Sequence, residues 1–415
     1  MNVLFEASWL GVGYKTPSAM RGIFRVISEV LRHSAQEPSL LVSACADTNA
    51  MADYWGRVAV KEMHLLPDER WVSTWRHVLP AVLLTPNQGL PSVSWSRRIF
   101  RKMATKTSWR APAKGEWDIF HSLFYPLGHR SAHQARARFL MIYDLLPIKF
   151  PEFYGASAHY MRETHARIAQ SPDPEKDWVT CISASAKADL CEFTGIAAER
   201  VFVTPLAAGP EFFSVQDPEK IRAVRRKYQI PPAPYILSLC ALAANKNLAH
   251  LIRSFVRLLM ETKNEDWHLV LAGEHGSEID RLLAEIKLAE GYRHRILCPG
   301  HIADEDLAAL YSGAEVFVFP SLYEGFGLPP LEAMQCGLPV ITSNTSSLPE
   351  VVGDAGMMVS PTDTDALCAA MLRVLEDARL RQEMRGRGLL RAAQFSWPNT
   401  VAALTEAYRT ALAQN

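Results

Sequence analysis

The residues from Val316 to Gly337, VFVFPSLYEGFGLPPLEAMQCG, leave few folds open to this chain. Val316 to Phe319 form a short apolar run that predicts a buried strand. Pro320, Gly325 and Gly327 follow as a loop. Pro329 and Pro330 suit a first helical turn, where a missing N–H costs little. Leu331, Met334 and Gln335 continue that helix, and Gly337 is placed as its C-terminal stop. Strand, glycine loop and helix in this order belong to an α/β layer structure. A helix N-terminus behind a glycine loop also suits phosphate. Glu324 and Glu332, with seven residues between them, offer oxygens that can accept hydrogen bonds from sugar hydroxyls. The same residues fit an ordinary strand-to-helix connection with glutamates on a wet surface.

The pattern recurs on both sides. Strands are expected at Asn2–Ala7, Leu40–Ala44, Ile119–Phe120, Phe139–Tyr143, Trp178–Ile182 and Val201–Thr204. A charged segment from Asp217 to Pro234, ending in PPAP, reads as a linker. A second series follows at Tyr235–Cys240, His268–Ala272, Arg295–Cys298, Val316–Phe319, Leu338–Thr342 and Met357–Val359. Helices are expected at 247–262, 277–290, 304–313, 329–336 and 363–376, and a last one from Trp397 to Leu412. Strands alternating with helices predict parallel sheets covered on both faces.

With 415 residues, 48% of them hydrophobic, the chain can fill two cores. Forty-four basic residues balance 44 acidic ones, which argues against nucleic-acid binding by charge. Seven scattered cysteines without C-x-x-C pairs read as reduced thiols of a cytoplasmic protein, with no zinc site. The opening MNVLFEASWLG has Glu6 inside its apolar run and reads as a strand, not a signal peptide. No apolar run reaches the ~18 residues of a membrane span. Between 95 and 110, Trp95, Ile99, Phe100 and Met103 alternate with Arg97, Arg98, Arg101, Lys102, Lys106 and Arg110. That pattern fits a core-facing helix with a solvated basic side first, and peripheral contact with the inner membrane face second.

Several motifs, in order, resemble the retaining glycosyltransferases of family 4. EGFGLPPLE resembles their Glu-x(7)-Glu signature, and NKNLAHLIRSF from Asn245 their R-K-N-L segment. IYDLLPIKFPEFY, CISASAKADL, VTPLAAGPEFF and RGIFRV resemble N-terminal family segments. The resemblance implies the GT-B fold: two Rossmann-like domains facing across a cleft, with the C-terminal helix crossing back to the first. It implies an acceptor domain at 1–215 joined by 396–415, and a nucleotide-sugar domain at 216–395.

By this resemblance Lys246 is the cation for the donor diphosphate, Glu324 faces the donor sugar, and Glu332 binds the ribose diol. Asn245, Gly325, Phe326, Gly327, Leu328 and Ile302 join the nucleotide-sugar site, Phe326 to Leu328 through their backbone N–H groups. Asp144 orients the acceptor hydroxyl or Tyr143, or else caps the next turn as a loop aspartate does. Gly11, Gly13, Arg25, His121 and Tyr143 are candidates for the acceptor side of the cleft, and Ser183 is read as a helix cap. His121 fits a satisfied structural histidine better than a ligand. Asn245 stands where the family carries Arg, so Arg25 or Lys149 is a candidate to share the electrostatic work. Cys240 replaces an expected glycine. Tyr143 stands where the family carries His, and its ring could pack on the methyl group of a 6-deoxyhexose or bond a hydroxymethyl group.

The implied activity is transfer of a hexose or 6-deoxyhexose (mannose, fucose or rhamnose) from a nucleoside-diphosphate sugar, GDP-linked by preference. The acceptor would be a saccharide or a glycolipid in cell-surface polysaccharide or glycan assembly, and no metal or other cofactor is expected. A nucleotide-sugar epimerase of the same fold and a non-catalytic sugar-nucleotide-binding protein are the alternatives. An oxidoreductase is disfavoured, because no G-x-G-x-x-G follows the first strand.

Overall fold

The computed structural model describes residues 1–6, 22–45, 117–128, 135–239, 243–264, 266–273 and 276–414. Gly11, Gly13, Cys240 and the basic stretch 95–110 lie outside them. The strands are β1 (Asn2–Glu6), β2 (Leu41–Cys45), β3 (Trp117–Ser122), β4 (Ala135–Ile142), β5 (Trp178–Cys181) and β6 (Val201–Val203), then β7 (Tyr235–Leu239), β8 (His268–Ala272), β9 (Ile296–Gly300), β10 (Val316–Phe319), β11 (Val340–Ser343) and β12 (Met357–Val359). The helices are α1 (Ile23–Ser34), α2 (Ala158–Ala169), α3 (Ala184–Thr194), α4 (Pro218–Lys227), α5 (Leu248–Thr262) and α6 (Gly276–Glu285), then α7 (Asp304–Ser312), α8 (Leu328–Gln335), α9 (Leu348–Val352), α10 (Thr364–Glu376), α11 (Ala378–Ala392) and α12 (Trp397–Gln414). A single helical turn, Leu146–Lys149, follows β4.

Two parallel sheets result, ordered β2-β1-β3-β4-β5-β6 and β12-β11-β10-β7-β8-β9. Period-2 alternation sorts their side chains. In β1, Val3 and Phe5 join the core that holds Val26, Ile27 and Val30 of α1, while Leu4 faces the cluster with Leu140, Val179 and Leu190. Both faces are buried, as a parallel sheet with helices on each side requires.

The charged segment expected to be a linker contains α4. Asp217 caps it by accepting from the Glu219 N–H, Pro218 occupies its first turn, and Arg225, Arg226 and Lys227 sit in the last turn. Caps and end charges made this helix out of residues that carry almost no apolar stripe. The helix α11 was likewise not expected. Its buried residues are only Met384, Gly388 and Ala392, too few to mark a period.

After α11 the chain returns to the first sheet. In α12, Thr400 donates to the Pro205 carbonyl at 2.6 Å, and the Tyr408 ring meets Phe139 of β4 edge-on at 5.0 Å. The C-terminal helix therefore packs where the family resemblance implied.

Candidate active site

In the second sheet the chain leaves β7 toward β8 and β9, then returns to build β10, β11 and β12 on the other side. The reversal opens between the carboxyl ends of β7 and β10, the position where sheets of this kind bind ligands. Two loops emerge there, the turn Ala244–Lys246 and the segment after Phe319.

Hydrogen bonds within the second half tie these loops together. The Asn245 carbonyl accepts from the Leu322 N–H at 2.7 Å and from the Ser321 hydroxyl at 2.7 Å. The Asn245 amide donates to the Tyr323 carbonyl at 3.0 Å. Ser347 donates to the carbonyls of Glu324 and Phe326, and Ser346 accepts from the Glu324 N–H. Gly327 takes φ 113° at the mouth of α8, in the left-handed region that favours glycine.

The ammonium of Lys246 lies 2.7 Å from Glu324 Oε1 and 5.0 Å from the centre of the Phe319 ring. Ser321 donates to the same carboxylate oxygen at 2.6 Å. One turn into α8, Glu332 is almost enclosed. Its Oε1 meets Arg25 of α1 at 2.7 Å, and its Oε2 accepts from the Tyr311 hydroxyl at 3.2 Å. Burial pushes the Glu332 carboxyl above the usual carboxylate range, against the pull of Arg25.

The first half meets this loop along a narrow front. Gly325 lies under the end of β4, so that a Cβ added there would stand 2.4 Å from the Tyr143 carbonyl oxygen and 2.9 Å from Asp144 Cβ. Asp144 accepts from the Leu146 N–H at 2.9 Å, and burial raises its carboxyl. Ser183 caps α3 through the Ala186 N–H and also donates to the Gly325 carbonyl at 2.7 Å. The Glu350 carboxylate accepts from the Ala184 and Ser185 N–H groups at 2.7 and 2.6 Å, on the positive end of α3. Tyr323 donates to Asp189 at 2.6 Å. The Tyr143 hydroxyl is buried and has no hydrogen-bond partner among the described residues.

Four expectations change. His121 does not line the cleft. Its Nδ1 lies 2.6 Å from the Tyr408 hydroxyl, its Nε2 lies 3.2 Å from Thr180 Oγ1, and burial lowers its pKa to about 3. Arg25 leaves the acceptor wall for Glu332, with Glu211 at 3.7 Å, because a buried carboxylate needs a cation more than an open cleft does. Lys149 is drawn to Asp189 and stands away from Lys246's task. The Asn245 amide serves the loop's shape. The side chains of Ile302 and Phe326 are buried, Phe326 against Phe395, so only their backbones can face a ligand. The sequence reading missed Ser321, Ser346, Ser347 and Glu350. Their only signal was their place just after β10 and β11, at the ends now known to adjoin.

A family model described as glycosyl transferases group 1 matches residues 220–390. The chain is 36% identical over 294 residues to the O-antigen chain mannosyltransferase B of Escherichia coli, covering 70% of this chain and 74% of that one. The chain belongs to the group 1 glycosyltransferases. Another relative is the serotype-specific mannosyltransferase WbdA of Escherichia coli, 35% identical over 271 residues. That match takes in 64% of this chain and only 32% of WbdA, so the glycosyltransferase spans about a third of it. Sucrose-phosphate synthase of Thermosynechococcus elongatus shares the fold across the whole of both chains, with a TM-score of 0.66 at 19% identity. The GT-B architecture and a hexosyltransferase activity follow for this glycosyltransferase. Among the described residues, no helix is long and apolar enough to cross a membrane, and no group of three or more His, Cys, Asp or Glu could hold a metal.

Proposed function

We propose that this glycosyltransferase moves a mannosyl unit, with retention, from GDP-mannose to a saccharide or lipid-linked acceptor in the assembly of an O-antigen-like polysaccharide. The observation that carries the reading is the Lys246–Glu324 pair on the two loops that leave the carboxyl ends of β7 and β10, the second of which leads into α8 with Glu332. The mannosyltransferase relatives support the sugar. So does the Tyr143 hydroxyl, which has no partner among the described residues, because a buried hydroxyl is better satisfied by a sugar that keeps its 6-hydroxyl than by a 6-deoxyhexose. The donor is assigned to the unit 216–395, and the acceptor to 1–215 with 396–415. The reaction is placed in the cytoplasm at the inner membrane face and requires no metal.

In the proposed step, the bond from C1 of the sugar to the diphosphate oxygen breaks, and C1 bonds to the acceptor oxygen on the same face. The acceptor proton passes to the leaving diphosphate. Lys246 meets the charge that grows there, and the backbone N–H groups of 326–328 at the start of α8 add to it. Glu324 holds the sugar hydroxyls and stabilises positive charge at C1. Asp144 orients the acceptor.

The test is transfer to an oligomannose or lipid-linked acceptor from GDP-mannose, GDP-fucose, dTDP-rhamnose and UDP-glucose, read by mass. GDP-mannose is expected to be used best. Lys246→Ala should lower kcat by about 100-fold or more while the fold is kept. Wild-type turnover in that variant, or consumption of donor without acceptor to give an epimer, would sink the proposal.

A further inference from the structure

We propose that Glu324 competes with the donor diphosphate for Lys246, and that this competition drives release of the nucleoside diphosphate once the sugar has left. The inference rests on the donor reading above. Its ground is the way each acidic side chain of the site is held. Glu332 is fixed by Arg25 and Tyr311, and neither partner is assigned to the diphosphate. Asp144 is fixed by the Leu146 N–H. Glu324 differs, because its cation is Lys246, the same group assigned to the diphosphate.

Glu324 and Lys246 are each largely buried, with side-chain exposures of 12% and 18%, so solvent screens their attraction only in part. An intact sugar nucleotide gives Glu324 hydroxyls to accept from, and leaves the ammonium to the phosphates. Transfer removes the hydroxyls but not the phosphates. Glu324 then has Ser321 and Lys246 as its partners, and it pulls the ammonium back. The site therefore holds the sugar nucleotide better than its nucleoside-diphosphate product, which keeps product from blocking the enzyme.

The experiment is a double-mutant cycle read by titration calorimetry with GDP at fixed ionic strength. It compares the wild type with Glu324→Gln, Lys246→Met and the combination. Glu324→Gln is expected to bind GDP about tenfold more tightly than wild type. It is expected to bind a non-transferable GDP-sugar no better than wild type. In the Lys246→Met background the change at 324 should make no difference. Glu324→Asp, which shortens the side chain while keeping its charge, serves as a second variant and should shift GDP binding the same way.

Failure to tighten in both 324 variants would overturn the inference. So would tightening that persists without Lys246, since simple repulsion between carboxylate and phosphate would then be the cause. Wild-type protein that binds none of GDP, UDP, dTDP or ADP would end the donor reading itself. GDP binding that ignores Lys246→Met would end this inference alone.

Discussion

The two sides of the cleft are held in opposite ways. The loop after β10 is built by its own half: Asn245, Ser346 and Ser347 bond its backbone at Tyr323 and Glu324, Ser321 ties it to the Asn245 carbonyl, and these bonds stay within the second half. The facing wall around Tyr143, Asp144 and Ser183 reaches that loop at Gly325 and Tyr323, and α9 beside it at Glu350. The donor side is therefore preorganised, and the opposite side is positioned by docking. Preorganised polar groups stabilise developing charge without reorganisation cost. A docked wall sets how well reacting atoms align.

The largest effect is expected where the wall touches the loop backbone to backbone. Gly325→Ala would drive a methyl into the Tyr143 carbonyl and separate the two halves. Transfer measured as kcat/KM should fall about 100-fold, while nucleoside-diphosphate binding, measured by calorimetry, stays within a few-fold. Equal loss of both would mean that the loop itself depends on the wall.

A smaller effect is expected at Glu350, whose carboxylate docks on the end of α3. Glu350→Gln keeps the size but removes the charge, and its NH2 replaces one of the two oxygens that accept from α3. It should lower kcat/KM by about tenfold and weaken the salt dependence of the rate. A rate that keeps its wild-type salt dependence would show that the charge on α3 contributes nothing to docking.

The smallest effect on turnover is expected at His121, which ties β3 to α12 away from the loop. Its folded pKa lies near 3, below the ordinary value of 6.5. The unfolded chain therefore binds the proton first, and stability is lost as pH falls from about 6.5 toward 3. The slope from this one group is at most ~1.4 kcal/mol per pH unit. Chemical unfolding of the wild type and His121→Gln at pH 7 and pH 5 should show the wild type losing more, with turnover at pH 7 unchanged within a few-fold. Equal losses would show that His121 is not buried in its neutral form.

The second half was the more legible in sequence, for the same reason that its site is preorganised. His268–Ala272, Val316–Phe319 and Met357–Val359 were placed to the residue, because short apolar runs between glycines and prolines mark buried parallel strands. The loop that follows β10 carries its chemistry in contiguous residues. The first half was harder to read. His121 was open to both a structural and a cleft reading because a histidine at a strand end can face either a helix or a cleft, and α12, arriving from almost 300 residues away, decided which. The segment 217–234 looked like a linker because α4 is specified by its caps and not by an apolar stripe.

What the sequence determined alone was the alternation of buried strands and capped helices, and a glycine loop bearing Glu324 and Glu332. Hydrophobic period, proline position and glycine are local properties, legible without a partner. The tertiary structure decided which groups those carboxylates would meet: Lys246 from the neighbouring strand's end, and Arg25 from the other half of the chain. Charge pairs form between residues distant in sequence, and a carboxylate leaving water takes whichever cation the fold brings within reach.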